Sequence, residues 1–573
     1  MAGGLLNLIA LGNQNIILTG NPTKSFFKST YSKYTNFGLQ KFRIDQIGQT
    51  ELDVTKVSKV SFKIMRYGDL LMDMFLVIKL PKIWSPVLKY FVTRRHGVLI
   101  NEYRPYEFKW IKNIGCQIIK EVNITIDGTT IQKFSGHYLQ NIVERDYDAH
   151  KKALFDKMTG NISELNDPAN YNNRNNNYPN AFNSSDISTD ISGIEPSIRD
   201  YNLYIPINSW FSMSSLMALP LICLQYSELF IDFTLRPINE LYTIKDVLYD
   251  ISNNPSIPYN NFPQIQANQN NFVYQFKRFI YPPPTRDLSH NDDTYLNLRT
   301  TINSNIHLIC TQCFLEETER KHFAKNSQSY LIREINEYNF EKVIKSNKVK
   351  IESKGLISSW MWYFQRSDVA SRNEWSNYTN WLYEDKIPND LKKVQIDNSD
   401  YKYYSPHFSY SSDISKNIYM TGYSPDIYSQ TNQCEIMKNF AIICDGKYRE
   451  QDFDSNIFSK LEKYNKSSGT CSKTGLYCYN FSLTTDPFKL QPNGAFNTNL
   501  FKTIEFEYNN YSNPPIDEIK SDFRTICDDT GAVIGVTRDP TSIYKYYYNL
   551  HVIEEKYNIL LFQNGFGGLV YSK

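Results

Sequence analysis

The sequence predicts an all-β protein of two units, and three observations carry that prediction. Apolar and polar residues alternate with a period of two through many short runs. Turn residues close those runs, and long amphipathic helices between them are missing. The chain has 573 residues, too many for one ordinary domain. Hydrophobic residues make up 41% of it, enough for sizeable cores, and aromatic residues 15%. Aromatic side chains suit pleated, half-buried surfaces and large interfaces alike.

The strand signals run in order along the chain. Val60, Phe62 and Ile64 fall on one face, with Ser61 and Lys63 on the other. Met72, Met74, Leu76 and Ile78 alternate in the same way until Pro81 ends the run. Ile118, Lys120, Val122, Ile124 and Ile126 share one face, against Glu121, Asn123, Thr125 and Asp127. Asp127-Gly128 then predicts a hairpin turn into residues 129–134. Leu229, Ile231, Phe233 and Leu235 point inward before Pro237. The best helical candidate is residues 315–335, whose charge pattern supports a short helix. Strands without alternating helices argue against a parallel α/β fold and for β-sandwiches.

Three polar stretches read as long surface loops: residues 161–200, 252–271 and 401–472, the last broken by an apolar run at 440–444. Pro- and Asn-rich text at 238–297, including Pro282-Pro283-Pro284, predicts a boundary. The expected division is an N-terminal arm at 1–27, a first unit at 28–237, an interdomain segment at 238–297 and a second unit at 298–573. The letters themselves contain no internal repeat.

Charge narrows the partners. A net charge of +2 excludes a global basic field, so no specific nucleic-acid partner is expected. The start of the chain is uneven, with Lys24, Lys28, Lys33, Lys41 and Arg43 preceding the first acidic residue, Asp45. Such an arm either docks on neighbouring subunits or touches an anionic surface. Nine scattered Cys form no disulfide framework and fit a reducing compartment. Residues 5–18 are apolar but interrupted by Asn7, Asn13, Gln14 and Asn15, which reads as neither a signal peptide nor a membrane span.

The search for chemistry finds no catalytic pattern. There is no Gly-rich phosphate loop and no HExxH. The eight His (96, 137, 150, 290, 307, 322, 407 and 551) include no two at metal-ligand spacing. Cys310 and Cys313 form the one CxxC, but in a strand two thiols three residues apart face opposite sides and do not converge on a metal. Gly-rich residues 565–568 read as a tight crossing or bulge in a strand. Trp360, Trp362, Trp375 and Trp381 offer either a sugar-stacking platform or ordinary core and interface aromatics. No catalytic, cofactor-binding or metal-ligating residue is therefore assigned. No cofactor is expected, and the chain reads as a protein without enzymatic activity.

Eight blocks of sequence carry a resemblance. LTGNPTKSFFKSTYSKYTNFG (residues 18–38) resembles the opening signature of the major capsid proteins of nucleocytoplasmic large DNA viruses, with wording nearest the mimivirus-like giant viruses. RYGDLLMDMFLVIKLP (66–81), WIKNIGCQIIKEVNITIDGTTIQKFSGHYL (110–139) and ALPLICLQYSELFIDF (218–233) resemble the family's following blocks. So do LEETERKHFAKNSQSYLI (315–332), WMWYFQRSDVASRNEWSNYTNW (360–381), YNFSLTTDPFKLQPNGAFN (479–497) and YNILLFQNGFGGLVYSK (557–573), all in the family's order. Pro492-Asn493-Gly494 departs from the Pro-Ser-Gly common in the family.

The resemblance implies two tandem eight-stranded antiparallel jelly rolls with long loop insertions and few short helices. It also implies a homotrimer of pseudo-hexagonal outline, which meets neighbouring capsomers to tile an icosahedral virion shell. The N-terminal arm would face minor capsid proteins and the inner viral membrane, and assembly would take place in the host cytoplasm. Two alternatives remain open at this point. One is a paralogous minor capsid component; the other is a carbohydrate-binding or glycosidase β-sandwich using Trp360 or Trp375.

Overall fold

The computed structural model describes residues 13–48, 51–95, 98–181, 195–247, 264–271, 274–282, 295, 298–299, 301–343, 345–384, 434–470, 472–489, 491–511, 523–527, 533–538 and 546–571. Two barrels of identical strand order dominate it. The first contains β1 (Phe37–Asp45), β2 (Ser58–Lys63), β3 (Leu70–Leu80), β4 (Ile119–Ile126), β5 (Thr129–Phe134), β6 (Tyr201–Pro206), β7 (Leu229–Leu235) and β8 (His307–Leu315). These form antiparallel sheets ordered β1-β8-β3-β6 and β2-β7-β4-β5. The second contains β9 (Gln328–Val343), β10 (Ser346–Lys350), β11 (Leu356–Arg366), β12 (Met437–Cys444), β13 (Lys447–Asp454), β14 (Leu476–Asn480), β15 (Ile504–Asn510) and β16 (Tyr548–Gln563). Its sheets are β9-β16-β11-β14 and β10-β15-β12-β13. Each barrel, counted within itself, reads 1-8-3-6 over 2-7-4-5, which is the order of a double Greek key jelly roll. Short strands lengthen the sheets: Leu219–Pro220 beside β3, Phe496–Asn497 beside β11 and Phe566–Leu569 beside β16.

The period-two patterns place the strands as expected where the ladder is regular. In β7, Leu229, Ile231, Phe233 and Leu235 are buried while the residues between them are half-exposed. Phe233 lies opposite Val60 on one side and Val122 on the other, and its ring meets Phe62 edge-on at 5.7 Å. Two bulges shift the phase elsewhere. In β3 the register against β8 skips from Asp73 to Leu71, so Leu71 is buried and Met72 is not the inward residue its spacing predicts. In β4 the register against β7 skips Lys120, which is exposed, and Ile119 takes the inward place.

The two barrels share local devices that their letters hide. Asp127-Gly128 and Asp445-Gly446 both adopt positive φ (49° and 77°, 47° and 77°), the twist a two-residue hairpin needs. Two residue pairs into each hairpin the register slips at the same place, next to Ile124 opposite Gln132 and next to Ile442 opposite Glu450. The bulge at Met72 likewise has its counterpart at Ser358 of β11.

Several expectations are corrected. The strand His307–Leu315, expected in the second unit, lies between β1 and β3 in the first sheet. The segment 238–297 therefore falls between two strands of one barrel, where Tyr242–Lys245 pairs with Phe108–Trp110. The helix expected over 315–335 covers only α3 (Glu317–Lys325), because from Gln328 the chain joins the long strand β9. Two helices escaped notice, α1 (Gly136–Asp146) and α2 (Ala149–Met158). Ser135 caps α1 by accepting from the Tyr138 N–H, and Asp148 caps α2 by accepting from Lys151 N–H. Of the predicted loops, residues 437–454 form the hairpin β12–β13, and Tyr178 and Ala181 are buried; residues 182–194, 252–263 and 401–433 lie outside the described residues. Asn564-Gly565 (φ 54° and 85°) makes a two-residue turn into Phe566–Leu569, not a bulge.

Strand β11 explains how the barrels join. It is buried on both faces from Ile357 onward, and its centre, Trp360 to Phe364, is apolar at five successive positions. Trp360, Trp362 and Phe364 point into the second barrel's own core with Phe440, Phe506 and Val552. Met361 and Tyr363 point the other way, and with Ile335, Ile553 and Phe562 they belong to the core of the first barrel. The outer face of one sheet thus continues the neighbouring barrel's interior.

Candidate functional site

Helix α1 carries polar side chains into the seam between the barrels. Its one position short of full burial is the half-buried His137, so it has no solvent-facing stripe. Arg145 sits at the centre, with its side chain 2% exposed. Its Nη2 is 2.8 Å from Asp146 Oδ2 and its Nη1 is 3.0 Å from Glu555 Oε2 on β16. Nη1 also donates to Ser359 Oγ of β11 at 3.0 Å, and Ser359 Oγ donates to Glu555 at 2.6 Å. Tyr138 OH donates to Glu555 at 3.2 Å, and Thr485 Oγ1 to Asp146 at 2.5 Å. Burial works against the Glu555 charge, but Arg145, Arg333 and the Ser359 hydroxyl outweigh it and hold its carboxyl at about 2. For Asp146 burial wins over Arg145, and its carboxyl is raised.

A second polar cluster lies beside the first. Tyr378 OH donates to Gln140 of α1 at 3.0 Å and lies 3.0 Å from His137 Nδ1. His137, Tyr363 and His551 stack in sequence, with centroids 5.4 and 4.9 Å apart. Desolvation, with lesser effects of Arg236 and His551, pushes His137 well below its ordinary range; desolvation alone lowers His551 to about 4. The strand edges complete the seam: Gln132 Nε2 of β5 donates to the Arg333 carbonyl of β9 at 3.0 Å, and Ser135 N–H donates to Glu337 at 2.8 Å. A cleft of about 440 Å³ opens there, with Lys133, Glu121 and Lys556 in its walls.

These groups join the two barrels, and the Ser359, Tyr138 and Thr485 hydroxyls are each committed to a buried carboxylate. Among the described residues no three His, Cys, Asp or Glu side chains are placed to hold a metal. Cys310 and Cys313 are buried free thiols, as are Cys116, Cys223, Cys444 and Cys478. The tryptophans form no exposed platform. Trp362 is buried against Phe440 with centroids 4.1 Å apart, and Trp360 Nε1 donates to Glu554 at 3.0 Å. Trp375 Nε1 donates to the Glu240 carbonyl, and the Arg236 guanidinium covers its ring at 3.8 Å. His96, His290 and His407 lie outside the residues whose side chains are described. Sequence reasoning missed Arg145, Ser359 and Glu555. The available signal was an Arg-Asp pair closing a stretch of helical spacing, and a Glu-Glu pair inside a long strand.

The arm is the other distinctive surface. After a short helix at Asn13–Thr19 it runs without regular structure to β1. Leu18 is 89% exposed, Phe26 88% and Phe27 100%, and Tyr31 and Tyr34 are also free of the body. No helix among the described residues is long and apolar enough to cross a membrane.

Comparison with known proteins places this architecture. Residues 25–280 match the family model for the major capsid protein N-terminus, and residues 319–568 match the model for the large eukaryotic DNA virus major capsid protein. Capsid protein 1 of Acanthamoeba polyphaga mimivirus is 34% identical over 249 residues, 43% of this chain and 36% of that protein. The major capsid protein of Chrysochromulina ericina virus is 26% identical over 387 residues, 64% of this chain and 58% of that one. The matched stretches thus span well under two thirds of both relatives. Among solved structures, the Faustovirus major capsid protein aligns with a TM-score of 0.58 at 12% identity, covering 94% of this chain and 93% of its own. The quasi-atomic model of the PBCV-1 virus capsid aligns with a TM-score of 0.56 at 17% identity, covering 96% and 100%. With two jelly rolls of one order and matching halves of one capsid protein in sequence along it, the chain belongs to the family of large eukaryotic DNA virus major capsid proteins.

Proposed function

We propose that this chain is a shell-building block that forms homotrimers, and that these trimers tile the capsid of a large DNA virus. The observation that carries this reading is the pair of like-ordered barrels locked by a buried seam. Two similar barrels per chain, three chains to a ring, make a tile with six similar corners, and such tiles cover a closed shell. The barrel unit that the register supports runs from 37 to 315, with 238–303 as an excursion between β7 and β8; the second runs from β9 onward. The work is mechanical and needs no catalytic residue, cofactor or metal.

The arm faces inward, toward minor capsid proteins and the inner membrane. Aromatic residues beside Lys24, Lys28 and Lys33 suit the boundary between lipid headgroups and hydrocarbon. Assembly takes place in the reducing host cytoplasm, in keeping with the free thiols.

The mass of the purified full chain in solution tests the central claim. A species of about three times 67.0 kDa that survives dilution to micromolar concentration is expected. A stable monomer there refutes it. Binding of the full chain to anionic vesicles, lost when residues 13–36 are removed, tests the arm.

A further inference from the structure

The seam inside the chain is built from one sheet edge of each barrel, and the counterpart of each seam edge in the other barrel has no strand beyond it among the described residues. Inside the chain, β5 closes one sheet of the first barrel and abuts β9, which closes one sheet of the second. The counterpart of β5 in the second barrel is β13, and the counterpart of β9 in the first is β1. Among the described residues nothing pairs with the outer edge of β1 or of β13. Both strands are largely exposed, with Phe37 and Leu39 about half open to solvent.

The shared bulges and turns align the barrels residue by residue. Gln132 of β5 corresponds to Glu450 of β13, since each faces an isoleucine just before the slip. Leu39, Lys41 and Arg43 of β1 correspond to Arg333, Ile335 and Glu337 of β9, counted from the bulges at Met72 and Ser358. The internal contact of Gln132 with Arg333 thus maps onto Glu450 beside Leu39. The charges there are complementary: β1 presents Lys41 and Arg43, and the facing half of β13 presents Glu450, Asp452 and Asp454. The helical segment after β13, in the place of α1, exposes Leu461 and Tyr464. Asp73 and Thr311, counterparts of Ser359 and Glu555, each keep a buried side-chain oxygen with no hydrogen-bond partner.

We infer that the β13 edge of one copy docks on the β1 edge of a second copy, repeating between chains the contact that β5 and β9 make within one. The contact is heterologous, so each copy offers one donor edge and one acceptor edge, and a ring results when the rotation closes. The inference rests on the trimer reading and adds the strands and residues that meet.

Paired cysteines in the full chain test it. Leu39→Cys with Glu450→Cys in one chain, mildly oxidised, is expected to give covalent dimers and trimers in a ladder that stops at three, above the wild-type background. Charge exchange is the second arm and needs no new thiol. Lys41→Glu with Arg43→Glu is expected to raise the concentration at which the trimer half-dissociates about tenfold or more. Adding Glu450→Lys with Asp452→Lys is expected to restore it. Trimers that form without the cross-link, and whose dissociation ignores both charge sets, overturn this edge pairing and leave the trimer standing. Absence of any trimer from the wild-type chain overturns the trimer reading itself.

Discussion

Replacing Arg145 by Met tests whether the seam is held by its buried charges. The substitution keeps the aliphatic stem and removes the guanidinium, leaving Glu555 and Asp146, with side chains only 2% and 1% exposed, without the cation between them. Removing one partner of a buried ion pair typically costs about 3–5 kcal/mol, because the remaining charge loses water and partner together. Ser359, Tyr138 and Thr485 still donate to the two carboxylates, which argues for the lower end, about 3 kcal/mol. At roughly 2–4 °C per kcal/mol for units of this size, the melting temperature falls by on the order of 10 °C. Calorimetry of the full chain at neutral pH measures this. Adding Glu555→Gln to Arg145→Met removes the stranded charge, so the double variant is expected to be more stable than the sum of the two single losses, with a coupling of about 1–3 kcal/mol. A loss below about 1 kcal/mol for Arg145→Met, or strict additivity, refutes the argument that the ion pair fastens the barrels.

Four further outcomes follow from particular residues. His551 is held at about 4 against an ordinary 6.5, so the unfolded chain takes up its proton first, and stability declines as pH falls from about 6.5 to 4; His551→Gln flattens that part of a urea-midpoint profile. Glu555, depressed from 4.5 to about 2, contributes stability that is present above 4.5 and lost as pH falls toward 2, and Glu555→Gln removes that lower limb. Gly128→Val and Gly446→Val each force a side chain into φ +77° and are expected to lower stability by a similar amount, about 1–2 kcal/mol, read from denaturation midpoints; a neutral effect at either contradicts the shared turn. Trp360→Phe strands Glu554 Oε2 in the second core and is expected to cost about 1–3 kcal/mol in the same assay, with glycan-array binding unchanged from wild type.

The sequence made β structure legible wherever one face of a strand is buried and the other wet. The run 229–235 and the Asp127-Gly128 turn are placed by alternation and by the need for positive φ. Strands buried on both faces resisted reading, since β11 has no polar side to alternate with. Helix α1 differs: its polar side chains, Gln140, Asn141, Glu144 and Arg145, are buried between packed elements and do not face solvent. Bulges at Met72 and Lys120 shifted the inward residues by one, and nothing local announces a bulge of that kind. The exchange of β8 into the first barrel was hidden by distance, because it pairs with strands more than two hundred residues earlier. The seam was hidden by chemistry: Arg145, Ser359 and Glu555 look like ordinary surface residues until three separate elements bring them within about 3 Å.

The two barrels differ in nearly every letter yet keep two bulges and one turn at matching places. A packed core tolerates exchange among apolar residues of similar volume, so the letters around Ile124 and Ile442 can diverge while those two keep their place. A bulge or a two-residue turn has no such latitude. Moving either by one residue sends every following side chain to the wrong face of the sheet. Selection on the fold therefore falls on register, and register leaves few marks in composition. The one visible mark here is the pair of Asp-Gly turns, because positive φ narrows the residue choice. Surface charge is free to diverge, and it has done so in a directed way: the edges that meet within the chain are locked by Gln132 and Ser135, whereas the free edges carry opposite charges. A contact built during folding needs no steering, but one between separate copies must be found by diffusion, and complementary charge accelerates that search. Under the proposed docking of β13 on β1, that is the difference expected between an internal and an outer edge.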